Sequence, residues 1–283
     1  MNWSNVLWYD LRNGLFRWRH LLIPIIFLIP CFLGKREFNT TDISATWGDY
    51  LLYCFKGQMP ISESTALQDI SLPTLWILVV GSCLYLNLDY LPKDITSFGL
   101  QIVYRCRNKV GWFLSKCLWN AMSCLLYLAL ACLTTFLFSC FAGASSTIAA
   151  SSNASSYIFQ SAILFDPISL SISQTCIIAI LLPFLTIFAL SMIEMLLCLI
   201  TKPILAFLSC MLLLAFAAFG SSQWFLGVGA MSIRSSYVMA DGISPLFSAC
   251  YALGIIITCI LIGMVAFKKA DILSVEEWET IWK

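Results

Sequence analysis

Charge is scarce in this chain. Of its 283 residues, 11% are Asp, Glu, Lys or Arg, while 60% are apolar. A soluble domain carries about 25% charged and about 45–50% apolar residues. So large an apolar share cannot all pack inside one water-facing core, which excludes a soluble globular domain and a disordered chain. The formal net charge is +1, with no basic tail. That leaves little to neutralise phosphates and argues against a nucleic-acid partner. An integral membrane protein is the class that fits.

Catalytic signatures are scarce as well. The one histidine, His20, stands beside Arg19 at the edge of an apolar run, too shallow to serve a serine within the bilayer. Asp89 closes another run and has no second intramembrane aspartate to pair with. There is no H-E-x-x-H, no C-x-x-C and no phosphate loop; Gly34-Lys35 is followed by Arg36. The 13 cysteines are odd in number and lie mostly in apolar runs, with Cys54 and Cys106 in stretches that read as watery loops. Cys117, Cys124, Cys132 and Cys140 would stand about 10–12 Å apart along a helix, too far to share a metal. They read as small packing residues. The expectation is therefore a chain without catalytic, metal or cofactor sites of its own.

Long apolar runs are abundant. A bilayer core of about 30 Å takes about 20 apolar residues of helix. Six runs qualify, at about 17–34, 72–91, 110–142, 172–200, 203–226 and 245–267. The first is short and carries Pro24 and Pro30, which should bend it. Residues 1–16 read as an N-terminal interfacial helix, with Val6, Tyr9, Asn13 and Phe16 on one side and Trp3, Trp8 and Trp18 as anchors.

The loops set orientation. Arg12, Arg17, Arg19, Lys93, Arg105, Arg107, Lys109, Lys116, Lys202, Lys268, Lys269 and Lys283 fall on one side; Lys35, Arg36, Lys56 and Arg234 fall on the other. By the positive-inside rule the first side is cytoplasmic, with both termini inside. The expected fold is an all-α, single-domain, multi-pass protein of the cell membrane, N-in and C-in. On the outer side, WGDYLLYCFKG reads as a short interfacial helix through Trp47, Tyr50, Leu51 and Phe55. The low-complexity ASSTIAASSNASS at 144–156 reads as flexible.

Few polar residues lie within the runs. Glu194 stands roughly 12 Å up its helix from Lys202. It reads either as a gating contact or as half of an ion pair with Lys116 or Lys202. Asn120 can hydrogen-bond a neighbouring helix. Asn87 and Asp89 read as structural, near enough to an interface for water to reach them. The C-terminal VEEWETIWK, with Trp278, Ile281 and Trp282, reads as another small amphipathic element.

The most informative stretch is LPKDITSFGLQIVYRCRNKVGWFLSKCLWN, between the second and third runs. Ile95, Phe98, Ile102 and Val103 recur at helical spacing, with Gln101, Arg105 and Arg107 as polar remainder. Segment 93–109 is thus expected to form a short amphipathic helix beneath the membrane. The order Gly99, Ile102, Arg105, Arg107, Trp112, Lys116 resembles the coupling segment of ABC-2 type ABC transporter permeases, especially those of small bacterial exporters. The Lys202-Pro203 turn and WFLGVGAMSIRSS, with Gly229, Met231 and Arg234, look like that family's inner turn and outer re-entrant stretch. The long 35–71 loop and the proline-bearing first run depart from the pattern. The resemblance implies a permease that exports a hydrophobic or amphipathic substrate, such as a peptide or lipid. It would pair with a second copy or a related permease subunit, and Phe98, Ile102, Arg105 and Arg107 would dock a separate nucleotide-binding (ATPase) subunit that uses ATP and Mg. The alternatives are an ion-coupled carrier or channel, and a non-transporting immunity or structural subunit.

Overall fold

An apolar segment in lipid must satisfy its backbone internally, and a helix does so. The structure, a computed structural model, describes residues 8, 10, 12, 14, 18–41, 43–60, 72–95, 109–159 and 170–269. Among these it is helical, with no named strand. In chain order the helices are α1 (Leu22–Thr40), α2 (Trp47–Cys54), α3 (Thr74–Asn87), α4 (Tyr90–Ile95), α5 (Lys109–Phe141), α6 (Ser152–Ile158), α7 (Ile172–Cys176), α8 (Leu182–Leu197), α9 (Pro203–Phe219) and α10 (Pro245–Lys269). Residues 8, 10, 12 and 14 are also helical.

Among the described residues, four stretches are long and apolar enough to cross a membrane: Thr74–Asp94, Lys109–Phe141, Ile172–Leu197 and Pro245–Lys268. They point to a membrane protein. Two of the six expected runs do not reach the same measure. Helix α9 has 17 residues, about 25 Å. Helix α1 has 19 but carries Lys35, Arg36 and Glu37 near its end. The fifth run extends in sequence to 226, with about its first 18 residues read as the span; its helix stops at Phe219, where Gly220 turns extended.

Local chemistry explains several of these boundaries. Pro203 fixes the first helical position of α9 and forces Lys202 extended, at φ −62° and ψ 143°. Between α7 and α8, Ile177–Leu181 forms a π turn, in which the Leu182 N–H reaches back five residues to Ile177 O. Pro183, which has no N–H, follows at once. The wide turn accommodates a residue that cannot complete the ordinary ladder.

Helix α8 is the centre of the bundle, packing on α3, α5, α9 and α10. Trp76 and Tyr127 are the largest fully buried side chains among the described residues. Both have their polar ends satisfied, Trp76 Nε1 donating to Ala230 O at 3.3 Å and Tyr127 OH to Val79 O at 2.6 Å. Outward, α10 exposes Leu246, Leu253, Ile257, Leu261 and Ile262, as a lipid-facing surface would.

One end of the bundle is closed by a cap. Thr46 and Asp49 form a capping box at the start of α2. Asp49 also accepts hydrogen bonds from Ser151 N and Oγ, and Ser151 in turn caps α6. Residues 144–156, expected to be flexible, are thus tied down by local capping and by Asp49. Helix α2 is likewise buried from Gly48 to Cys54 rather than lying at an interface, and Cys54 is buried rather than in water. Two 3₁₀ turns, Leu226–Ala230 and Ser232–Arg234, fold back against it. Ser232 N donates to Phe55 O at 2.8 Å and Ile233 N to Lys56 O at 3.1 Å. Arg234, only 3% exposed, donates to the carbonyls of Gln58, Gly220 and Ala218 at 2.7, 2.6 and 2.6 Å. Two of those carbonyls end α9, where a cation is favoured by the helix dipole.

Candidate functional site

At the end opposite the cap, a buried ion cluster joins three parts of the chain. The Lys116 ammonium sits between the carboxylates of Asp10 and Asp94, 2.6 Å from Asp94 Oδ2. All three side chains are buried. Ser115 Oγ donates to Asp10 Oδ2 at 2.7 Å and Tyr90 OH to Asp10 Oδ1 at 2.8 Å. The ammonium also lies over the Tyr90 and Trp112 rings, 4.9 and 5.0 Å from their centroids. Tyr90 stacks on Trp119 at 3.8 Å. Gly14, one helical turn after Asp10, lies against Trp119; a Cβ there would fall 2.0 Å from Nε1. Beside this cluster, Asp89 holds Arg19 at 2.7 Å and Lys93 at 3.0 Å.

Deeper in the bundle lies a second, largely uncharged network. Asn120, Ser123 and Cys124 share one face of α5 by their i, i+3, i+4 spacing, and Ser191 and Glu194 share one face of α8. Asn87, the last residue of α3, reaches between them. Asn87 Nδ2 donates to Asn120 Oδ1 and to Ser191 Oγ, both at 3.3 Å, and Asn87 Oδ1 accepts from Ser123 Oγ at 2.6 Å. Ser191 Oγ donates to Asn120 Oδ1 at 2.7 Å. Three helices are thereby bolted together. Two atoms of the group, Asn120 Nδ2 and Glu194 Oε1, have no hydrogen-bond partner among the described residues. Both residues line a cavity of about 10 Å³ with Asn87, Ser191, Trp119 and Cys198. That is space for about one water.

Several sequence expectations change here. Lys116 does not pair with Glu194; Asp10 and Asp94 claim it, and it is 1% exposed. Asn87 is buried rather than watered. Glu194 and Asn120, singled out in the sequence, do come to one site. Asp10 was missed, because a single aspartate in a basic segment carries no periodic signal. The expected docking residues Phe98, Ile102, Arg105 and Arg107 lie outside the described residues, as do Trp278, Ile281, Trp282 and most of the N-terminal helix. Among the described residues, no group of three His, Cys, Asp or Glu is placed to hold a metal. The network offers hydrogen bonding and helix-to-helix coupling, with one carboxyl set against a small cavity.

No curated protein and no solved structure matches the chain. A family model described as "Protein of unknown function (DUF2705)" matches residues 27–273, nearly the whole chain, and the protein belongs to that family.

Proposed function

We propose that the chain is a six-span, N-in and C-in permease subunit of an ATP-driven ABC-2 type exporter of the bacterial cell membrane. In this reading α1 and α9 span the membrane along with the four longer stretches. The chain hydrolyses no ATP; a separate nucleotide-binding subunit does so with Mg, and a second permease subunit completes the pathway. The cargo is hydrophobic or amphipathic, a peptide or a lipid.

The observation that carries the reading is the Asp10–Lys116–Asp94 cluster. Asp94 lies near the start of segment 93–109, and Lys116 lies within α5 beyond its end. Pairing them ties the two flanks together and adds the N-terminal helix to the same unit. A push on the segment from a soluble partner would then move α3, α5 and the N-terminal helix together. The Asn87–Asn120–Ser191 network would pass that movement to α8.

The test is reconstitution with the ATPase subunit. Charge reversal at Arg105 and Arg107 should lower transport-coupled ATP hydrolysis while membrane insertion is unchanged. Unaltered coupling would remove those arginines from the docking surface. A chain that transports with no ATPase subunit bound would remove the whole reading.

One observation favours a second reading, an ion-coupled carrier. Glu194 Oε1 is buried without a hydrogen-bond partner among the described residues, and such carboxyl groups mark ion pathways in many membrane proteins. Transport that follows a proton gradient without ATP, and stops in Glu194→Gln, would select it.

A further inference from the structure

Helices α1 and α5 run side by side and leave a groove between them on the bundle's outer surface. Its volume is about 500 Å³, within the roughly 300–1,000 Å³ of small-molecule sites. Pro24, Leu28, Phe32, Leu133 and Leu137 line it. Phe32 meets Phe138 edge-on at 4.9 Å, and both line the groove. The one hydroxyl in the lining, Thr134, is turned inward to its own helix, donating to Leu130 O at 2.7 Å. No free donor therefore interrupts the apolar wall.

The polar element stands at one end. Lys35 is the last residue of α1 to line the groove, as Phe141 is of α5, and exposed Arg36 follows it. Among the described residues, Lys35 has no carboxylate partner. Neighbouring Glu37 is engaged by Tyr53 OH at 2.9 Å. From Pro24 to Lys35 the groove follows about 16 Å of helix. That is close to half of a hydrocarbon core about 30 Å thick.

We propose that this groove binds one anionic phospholipid, with an acyl chain along α1 and α5 and the headgroup phosphate on Lys35. Three properties converge on that occupant: a dry wall, a depth of one leaflet, and, where a headgroup would lie, a lysine with no carboxylate partner among the described residues. A second copy of the chain would need an apolar face against the wall and a carboxylate opposite Lys35. A lipid supplies both the apolar tail and the anion in one molecule. The assignment does not depend on the transport reading.

The test is native mass spectrometry of the full chain in detergent, titrated with dioleoyl phosphatidylglycerol or dioleoyl phosphatidylcholine. The expected result is one retained phosphatidylglycerol, favoured over phosphatidylcholine by roughly threefold to tenfold, as a partly exposed ion pair allows. Lys35→Gln should erase that preference, and Lys35→Arg should keep it. Leu133→Trp, which fills the groove, should weaken retention of both lipids. Leu133 is half-exposed, so this change leaves the core intact, and an unaltered thermal melt checks that it has. Equal retention of both lipids by the wild type, or a preference that survives Lys35→Gln, overturns the proposal. So does a dimer that Leu133→Trp dissociates, because a second copy would then be the occupant.

Discussion

Lys116 Nζ lies 2.6 Å from Asp94 Oδ2, with both side chains shut away from water. Asp10 closes on the same ammonium from the N-terminal helix. Breaking a buried pair by removing one partner costs about 3–5 kcal/mol, because the remaining charge is left in a low-dielectric site. Lys116→Ala should therefore lower stability by about that amount. The loss is readable as an earlier thermal transition in the fluorescence of Trp112 and Trp119, which adjoin the site. Adding Asp10→Asn and Asp94→Asn to Lys116→Met should recover much of it. A Lys116→Ala protein that melts with the wild type would mean the cluster holds nothing together.

The Asn120 network gives a prediction of a different size. Asn120→Leu leaves Asn87 Nδ2 with one acceptor fewer and deprives Ser191 of its acceptor. Buried donors without partners cost about 1–3 kcal/mol each. Ser191→Ala removes one donor and should cost less. A double-mutant cycle between positions 87 and 191 should show coupling, because the two share a hydrogen bond and a common partner. Strict additivity would sink the idea of one connected bolt.

Arg234 is expected to matter more through its shape than through its charge. It reaches three carbonyls on two segments, the end of α9 and the stretch after α2. Arg234→Ala should destabilise by about 3 kcal/mol, and Arg234→Lys should recover only part of that, since an ammonium lacks the planar fork. Limited proteolysis near residues 56–60 and 220–224 would report the loosening of the cap. Equal resistance in the wild type and Arg234→Ala would count against the assignment.

Asp49 predicts a pH dependence. Burial pushes its carboxyl above the ordinary value of 3.8, while hydrogen bonds from Thr46 and Ser151 pull it back only in part. The folded chain then keeps a proton that the unfolded chain releases. The stabilisation from this group is full below 3.8 and is lost as pH rises through the raised value. Relative to Asp49→Asn, the wild type should lose melting temperature from about pH 4 upward. Parallel melting curves for the two proteins across that range would refute it.

Much of the architecture is legible in the chain. The runs of α5, α8 and α10 are long enough to mark their helices, and Lys202-Pro203 marks a turn because proline restricts the residue before it. Glu194 and Asn120 stand out because polar groups are rare in apolar runs. What escapes the sequence is pairing. Nothing local says that Asp10 will meet Lys116, or that Asn87 will reach Ser191, since those contacts depend on how the helices are arranged. The ASSTIAASSNASS stretch misleads for the opposite reason. Its serines signal mobility by composition, yet Ser151 acts as a specific cap and as a ligand of Asp49. Cys54 misleads through its neighbours, because a short helix ending beside Lys56 reads as lying at the water interface until the cap covers it.

The missing side chain at Gly14 sets the clearance of the N-terminal helix. A hydrogen is the only substituent that fits against the Trp119 indole there. A methyl group would act as a wedge, lifting the helix and drawing Asp10 out of reach of Lys116. The tightness of this clasp is thus regulated by an atom the residue does not have.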